Sequence, residues 1–320
     1  MKAIRVESFG GPEVLRVTNV NELHPGVGEV VVRIYAAGVN PVDTYIRAGS
    51  YAKKPVLPYT PGNDGAGVID QVGGNVEGWV VGQRVYVAGS KTGTYAERAV
   101  CTVDQVHSLP ETMSFAQGAA IGIPYATAYF ALFHRARGKA GETVLVHGAS
   151  GGVGHAAVQL ALRGGLKVFG TAGSPAGRVA LAAQGVEAVF DHGKGGYLDE
   201  VLAATDGRGV DVILEMLANV NLGNDLTVLA PGGRVAVIGS RGIVEINPRD
   251  AMARNADILG VMLGGASPEV LRGIYEELGR GMADGTLVPV IARELPLEEA
   301  AEAHRVVMAA GATGKIVLVA

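Results

Sequence analysis

The stretch "TVLVHGASGGVGHAAVQLAL" (residues 143–162) decides the fold. A short apolar run stops at a glycine cluster, and a helix of small residues starts directly after it. Gly152-x-Gly154-x-x-Ala157 matches the dinucleotide fingerprint, and Gly148-x-x-Gly151-x-x-Gly154 overlays it. Glycines gather in many turns, so the cluster alone is a weak signal. Here it follows a strand, opens a helix and begins an α/β series, which is the context the fingerprint requires. The first N–H groups of a helix have no partner within it, and the helix dipole favours an anion there. Glycines remove the Cβ atoms that would keep a pyrophosphate away. The reading is a cofactor turn; the alternative is a tight turn that serves packing only.

Downstream, apolar segments alternate with helical ones. Six strands are predicted, at 143–148, 167–173, 188–190, 210–216, 234–239 and 257–263. Strands apolar on both faces and joined by helices imply a parallel sheet covered on both sides. Ser174-Pro175 is the start signal of the second helix. After residue 264 the rhythm breaks into a helix (268–285), a strand (288–293), an amphipathic helix (297–310) and "GKIVLVA" (314–320), a tail that is expected to return to the first domain. Upstream, residues 1–110 read as short strands between turns, and "SFAQGAAIGIPYATAYFALFHRARG" (114–138) reads as helical with a break at Pro124.

With 320 residues, two domains are expected. At 48% hydrophobic and 18% charged residues, a large core is affordable and disorder is not expected. The net charge is −4 and no Lys/Arg run exceeds Lys53-Lys54, so binding of nucleic acid by bulk charge is not indicated. The start "MKAIRVESFGGPEVL" lacks a basic segment followed by an apolar one, and no apolar run reaches about 18 residues. Neither a secretory leader nor a membrane span is expected. The one cysteine, Cys101, can form neither an internal disulfide nor a cysteine-built zinc site. Together these point to the cytoplasm.

The second strand carries the coenzyme signal. A carboxylate at its end would accept the ribose 2′-OH and select NAD. Here it ends "GTAGSPAGR", with no Asp or Glu between Gly170 and Arg178. A 2′-phosphate would meet no acid and could find Arg178, so NADPH is the expected cofactor. Arg178 is also readable as a solvated helix residue.

Several longer stretches carry a resemblance: "FGGPEVL" (9–15), "GVNPVDTYIRAGSY" (38–51), "LPYTPGNDGAGVI" (57–69), "GAAIGIPYATAY" (118–129), "VLVHGASGGVG" (144–154), "EMLANVNL" (215–222), "GSRGIVEINPRD" (239–250) and "GATGKIVL" (311–318). On these the chain resembles the zeta-crystallin type of NADPH:quinone oxidoreductase, in the zinc-free branch of the medium-chain dehydrogenase/reductase superfamily. The resemblance implies a GroES-like β-rich catalytic domain (1–121 and 266–320) and a Rossmann NADPH-binding domain with a doubly wound six-stranded parallel sheet (122–265). It also implies an active site in the cleft between them, and a homodimer or homotetramer.

Zinc-bearing relatives place a Cys in the "GV-Cys" loop and a His-Glu pair in the "GHE" loop. At those positions this chain has Asn40 and Asn63-Asp64. Asn is a poor zinc ligand, and a tetrahedral site needs about three good protein donors. No metal is expected, and the site is read as uncharged. Without a Lewis acid, oxidising an alcohol or reducing a plain ketone is harder. A quinone is already electron-poor and becomes aromatic on reduction.

The resemblance assigns Tyr45 to the cofactor and the catalytic site, with Tyr51 and Asn40 beside it; the alternative for the tyrosines is a surface loop. Asp43 is read as structural. Family cofactor contacts carry over onto Ser150, Gly151, Gly152, Val153, Gly173, His192, Asn221, Ile238, Gly239, Ser240, Arg241, Val261, Met262 and Leu263. His192 is also readable as an ordinary loop histidine, Asn221 as a helix start and Arg241 as a salt-bridge residue. His107, His147 and His155 show no metal-ligand spacing and read as structural. The implied activity is NADPH-dependent reduction of quinones, ortho-quinones foremost. The alternatives are a reductase of α,β-unsaturated carbonyls or enoyl thioesters and, in another class, a crystallin-like structural protein or a binder of AU-rich RNA.

Overall fold

Runs of β-branched and aliphatic residues between glycines make the strands of this molecule, and where the runs alternate with helices the strands become parallel. The structure is a computed structural model and describes residues 1–309, 311 and 313–320. Ala310, in the expected helix 297–310, and Ala312, in the stretch 311–318, lie outside the described residues. The chain divides into two units, Met1–Ile123 with Tyr275–Ala320, and Pro124–Ile274.

The first unit opens with β1 (Lys2–Arg5) and β2 (Arg16–Asn19), an antiparallel pair. The 11-residue β3 (Glu29–Val39) follows, then the short helix α1 (Pro41–Arg47). Asn40 caps α1 from an extended conformation, Pro41 takes the first helical position, and the Asp43 side chain accepts the Asn40 N–H at 2.9 Å. This reciprocal cap starts a seven-residue helix at a fixed point beside β3. The next elements are β4 (Asp64–Val72), β5 (Arg84–Ala88), β6 (Arg98–Thr102), β7 (Val106–Ser108) and α2 (Phe115–Gly118). β3 pairs antiparallel with both β4 and β6, and β5 pairs with β4 and β7. Val30, Val32, Ile34, Ile69, Val85 and Cys101 are in the core of this unit. The thiol of Cys101 is buried there and pushed up to about 12 by that burial.

α3 (Gly122–Tyr129) leads into the second unit and runs on as a π-helical stretch, Phe130–Arg135. The expected break at Pro124 is not there. Pro124 sits in the first turn of α3, where a missing N–H costs no helical hydrogen bond. The interruption lies earlier, between α2 and α3.

The second unit alternates β8 (Thr143–Val146), α4 (Gly152–Arg163), β9 (Lys167–Thr171), α5 (Pro175–Ala182), β10 (Ala188–Phe190), α6 (Tyr197–Ala203), β11 (Val210–Glu215), α7 (Ala218–Asp225), β12 (Leu229–Val237), α8 (Pro248–Arg254) and β13 (Asp257–Gly260). The six strands form one parallel sheet in the order β10-β9-β8-β11-β12-β13. Chain order along the sheet is therefore 3-2-1-4-5-6, the doubly wound arrangement whose ligands gather at the strand carboxyl ends. Every residue of β8 and of β11 is buried, as strands covered on both faces require.

α9 (Pro268–Ala283) carries the chain back to the first unit. There β14 (Ile291–Pro296), α10 (Ala300–Val306) and β15 (Lys315–Val319) complete the tail. β15 pairs with β3 antiparallel and with β14 parallel, so the tail joins the β-rich sheet as expected. This pairing sets Ile316 opposite Val39 and brings the neighbouring Lys315 beside Asn40.

Candidate functional site

In the second unit the glycine turn has the shape its sequence implies. Gly151 caps α4 in an extended conformation (φ −78°, ψ 176°), and no side chain takes the helix-start donors. Gly148 has φ +57°, a conformation that favours glycine. A Cβ on Gly154 would lie 2.3 Å from the Gly148 carbonyl oxygen and 2.6 Å from Ala149 Cα. Gly154 thus lets the first turn of α4 lie directly on the loop. The result is an uncapped, positively polarised helix end floored by backbone, which fits a dinucleotide pyrophosphate.

The neighbouring strand ends extend the cradle. Ala149 N–H donates to the Thr171 carbonyl at 2.8 Å, and Gly148 N–H to Thr171 Oγ1 at 3.1 Å. Thr171 Oγ1 also lies 3.0 Å from His192 Nδ1. The other face of the His192 ring closes on Gly173, where a Cβ would come within 2.8 Å of Nε2. Burial holds His192 below its ordinary pKa. Ser174 Oγ accepts the Gly177 N–H and caps α5, and Gly177 packs against Ser150. Arg178 donates to the Ala172 carbonyl at 3.3 Å and pairs with Asp191 at 2.8 Å. Ser150, Gly151, Gly152, Val153, Gly173, Arg178 and His192 therefore collect at the carboxyl ends of β8, β9 and β10.

Beyond β11 the remaining expected residues are arranged by the backbone. Both Glu215 carboxylate oxygens accept from Asn221 Nδ2 at 3.2 Å, and Oε1 also accepts the Leu217 N–H. Ile238 and Gly239 donate their N–H groups to the Glu215 carbonyl at 2.8 and 3.2 Å. Gly239 passes so close to Met216 that a Cβ would stand 2.3 Å from its carbonyl oxygen. Ser240 Oγ bonds the Gly242 carbonyl, and Arg241 N–H donates to Asn219 Oδ1 at 2.7 Å. Val261 N–H bonds the Val237 carbonyl, with Met262 and Leu263 following at the end of β13. All these positions share the carboxyl edge of the sheet.

Among the described residues, His147, Glu215 and Asp225 bring three ligand atoms within 4.8 Å of one another, all buried. Sequence spacing gave no sign of this cluster. His147 Nε2 donates to Asp225 Oδ1 at 2.8 Å and lies 3.5 Å from Glu215 Oε2. The first distance is that of a hydrogen bond, and a proton accounts for it. Burial pushes both carboxyl groups well above their ordinary range, and it pushes His147 below its own. Asp225 Oδ2 is buried with no hydrogen-bond partner.

In the first unit, Asn40 is 3% exposed and sits at the centre of a polar network. Its Nδ2 donates to Asp64 Oδ2 at 2.8 Å, and its Oδ1 accepts from Lys315 Nζ. Lys315 Nζ also pairs with Asp64 Oδ2 at 3.3 Å, and Asp64 Oδ1 accepts the Ile123 N–H at 2.8 Å. Burial pulls the Lys315 pKa down, while the Asp64 charge opposes the fall. A buried ion pair of Lys315 with Asp64 thus stands beside the positions where zinc-bearing relatives put ligands. With Asp64 and Asn40 engaged by Lys315, these residues do not fit a zinc ion.

The network continues through Asp43. Its Oδ2 accepts from Asn40 N–H and from Tyr95 O–H at 3.2 Å, and burial pushes its pKa up to about 7. Tyr95 Oη meets His304 Nε2 at 3.2 Å, and Arg47 Nη1 meets His304 Nδ1 at 3.3 Å. Burial, with Arg47 beside it, pushes His304 down to about 3, so the ring is neutral. Arginine can only donate. His304 therefore carries its proton on Nε2 and donates to Tyr95, whose own proton goes to Asp43.

Tyr45 and Tyr51 are half-buried on either side of the turn after α1, and the Tyr45 carbonyl accepts the Ser50 N–H at 3.0 Å. A cavity of about 770 Å³ in this unit is lined by Asp43, Ile46, Lys53, Lys54, Tyr59 and Asn63 among others, but not by Asn40, Tyr45 or Tyr51. Tyr59 Oη is buried without a partner, and burial pushes its pKa up to about 12.

Comparison with known proteins agrees with this geometry. Residues 26–111 match the alcohol dehydrogenase GroES-like domain, and residues 152–278 match the family described as zinc-binding dehydrogenase. The chain is 50% identical over 320 residues to the quinone oxidoreductase of Homo sapiens, covering 99% of this chain and 97% of that protein. The Escherichia coli quinone oxidoreductase complexed with NADPH superposes with a TM-score of 0.90 at 28% identity, covering 100% of both chains. A structure described as an NAD-dependent alcohol dehydrogenase superposes with a TM-score of 0.93 at 32% identity, again covering 100% of both.

Proposed function

The chain belongs to the quinone oxidoreductase family of zeta-crystallin type, and from that premise we propose that it reduces quinones with NADPH and without a metal. The observation that carries the metal-free part is the donor set around Asn40. An amide, a carboxylate and a buried ammonium hold one another there, and none is left to polarise an acceptor oxygen as a Lewis acid would. Quinones need the least polarisation, because the electron pair they take up completes an aromatic ring.

NADPH supplies a hydride. Ser150, Gly151, Gly152 and Val153 at the start of α4 would hold its pyrophosphate, and Gly173, Arg178 and His192 its adenosine phosphate end. Asn221, Ile238, Gly239, Ser240, Arg241, Val261, Met262 and Leu263 would orient the nicotinamide half. Tyr45 and Tyr51 would flank the nicotinamide and the acceptor, with Asn40 fixing the start of α1 behind them. The chain's contribution is orientation and exclusion of water. Among the described residues no helix is long and apolar enough to cross a membrane. A cytoplasmic location and a homo-oligomer complete the proposal. β13 ends the parallel sheet with an open edge and an exposed Ile258, which supports edge-to-edge pairing of two copies.

The test is a screen of NADPH consumption across ortho-quinones, para-quinones, enones and enoyl-CoA thioesters, with NADH as control. Quinone turnover is expected to exceed the others by at least tenfold. Turnover of the thioesters above that of every quinone would sink the proposal.

A further inference from the structure

We propose that Asp191 is a coenzyme-specificity residue that opposes the 2′-phosphate of NADPH and accommodates the free ribose hydroxyl of NADH. The proposal deepens the NADPH reading of this site and rests on it. β9 ends without a carboxylate, running Thr171-Ala172-Gly173-Ser174. The fold delivers one from the adjacent strand instead. Asp191 directly follows β10, the hydrogen-bonded neighbour of β9. Its Oδ2 lies 2.8 Å from Arg178 Nη1.

The acid is held in place by its own loop, since Gly193 N–H donates to Asp191 Oδ1 at 2.9 Å. The guanidinium is held on its other side by the Ala172 carbonyl at 3.3 Å. Arg178 and Asp191 are 28% and 32% exposed, so a ligand can reach both. The site thus carries a cation that attracts a 2′-phosphate and, in contact with it, a fixed anion that repels one. An incoming phosphate of about two negative charges must share Arg178 with the carboxylate or push it away. A ribose 2′-OH meets no such penalty and finds an acceptor. Arg178 sets a preference for NADPH, and Asp191 narrows it.

The alternative is that Asp191 pre-orients Arg178 for the phosphate, and the two readings differ in sign. The substitution D191N removes the charge and keeps an oxygen for the Gly193 N–H. Dissociation constants of NADPH, NADH and 2′,5′-ADP would be measured by calorimetric titration of the full chain at low and high salt. D191N is expected to tighten NADPH and 2′,5′-ADP about tenfold at low salt, less at high salt, and to leave NADH unchanged or weaker. NADPH binding that is unchanged or weaker in D191N overturns the proposal. R178Q separates the two layers, because it is expected to remove the advantage of NADPH over NADH. An R178Q variant that still binds NADPH like the wild type overturns the cofactor assignment of Arg178, and the role of Asp191 with it.

Discussion

The glycine turn after β8 and the buried network around Asn40 are opposite solutions to holding charge. The turn is local. Seven consecutive residues, Gly148–Gly154, shape a helix start that no side chain caps and that suits an anion from outside. The network is non-local. Lys315 comes from the end of the chain, 251 positions from Asp64, and supplies a counter-charge from inside. A site built from backbone tolerates few side chains but needs no partners elsewhere. A site built from buried charges tolerates no missing partner.

The largest effect is expected at Gly154. In G154V the first new carbon would stand 2.3 Å from a backbone oxygen, and no side-chain rotation relieves that clash. The loop must move off α4, and dinucleotide affinity should fall at least 100-fold with the far-ultraviolet circular dichroism unchanged. Binding within tenfold of wild type would show that the turn is a packing device.

Next is Lys315. Lys315→Met leaves the Asp64 carboxylate buried with its cation removed, which typically costs about 3–5 kcal/mol. Urea unfolding should report that loss. The double variant Lys315→Met/Asp64→Asn should recover most of it, because the orphaned charge is gone. No recovery in the double variant would mean that Lys315 acts through packing of its stem and not through its charge.

The same contrast explains what the sequence made legible. The six strands, their parallel arrangement and the glycine turn follow from patterns within twenty residues; five strands start where periodicity puts them, and β12 starts at Leu229, five residues before the expected 234. Pro124 reads as a break because a proline at a helix start and one inside a helix look alike until the start is known. Asn40, Asn63 and Asp64 show what is lacking as zinc ligands, but not that β15, the strand partner of β3, brings Lys315 to pair with Asp64. Asp191 escaped for a related reason. Local sequence shows only that β9 ends without an acid, and the register of two parallel strands decides that the end of β10 lies within reach of Arg178. His147, Glu215 and Asp225 come from β8's end, β11 and α7, and only the strand order unites them.

The smallest expected effect is a pH dependence, and it isolates the buried acids of that cluster. Burial raises the folded-state pKa of both Glu215 and Asp225, each to about 7, whereas an unfolded Asp titrates near 4. A raised pKa means that the folded state binds the proton more tightly. The stability it contributes is fully present below about pH 4 and is lost as pH rises to about 7, opposite to an ordinary ion-paired carboxylate. Asp43, also raised to about 7, acts in the same direction. His107 and His304, pushed down by burial to about 4 and about 3, act in the other, losing stability as pH falls below about 6.5. The total profile therefore mixes signs, and the difference between variants is the clean measure. Asp225→Asn keeps an oxygen to accept from His147 and cannot ionise. Measured by denaturant unfolding from pH 5 to pH 8, it should gain on the order of 2 kcal/mol relative to wild type as pH rises. A difference that stays flat across that range would mean that Asp225 is already ionised at pH 5.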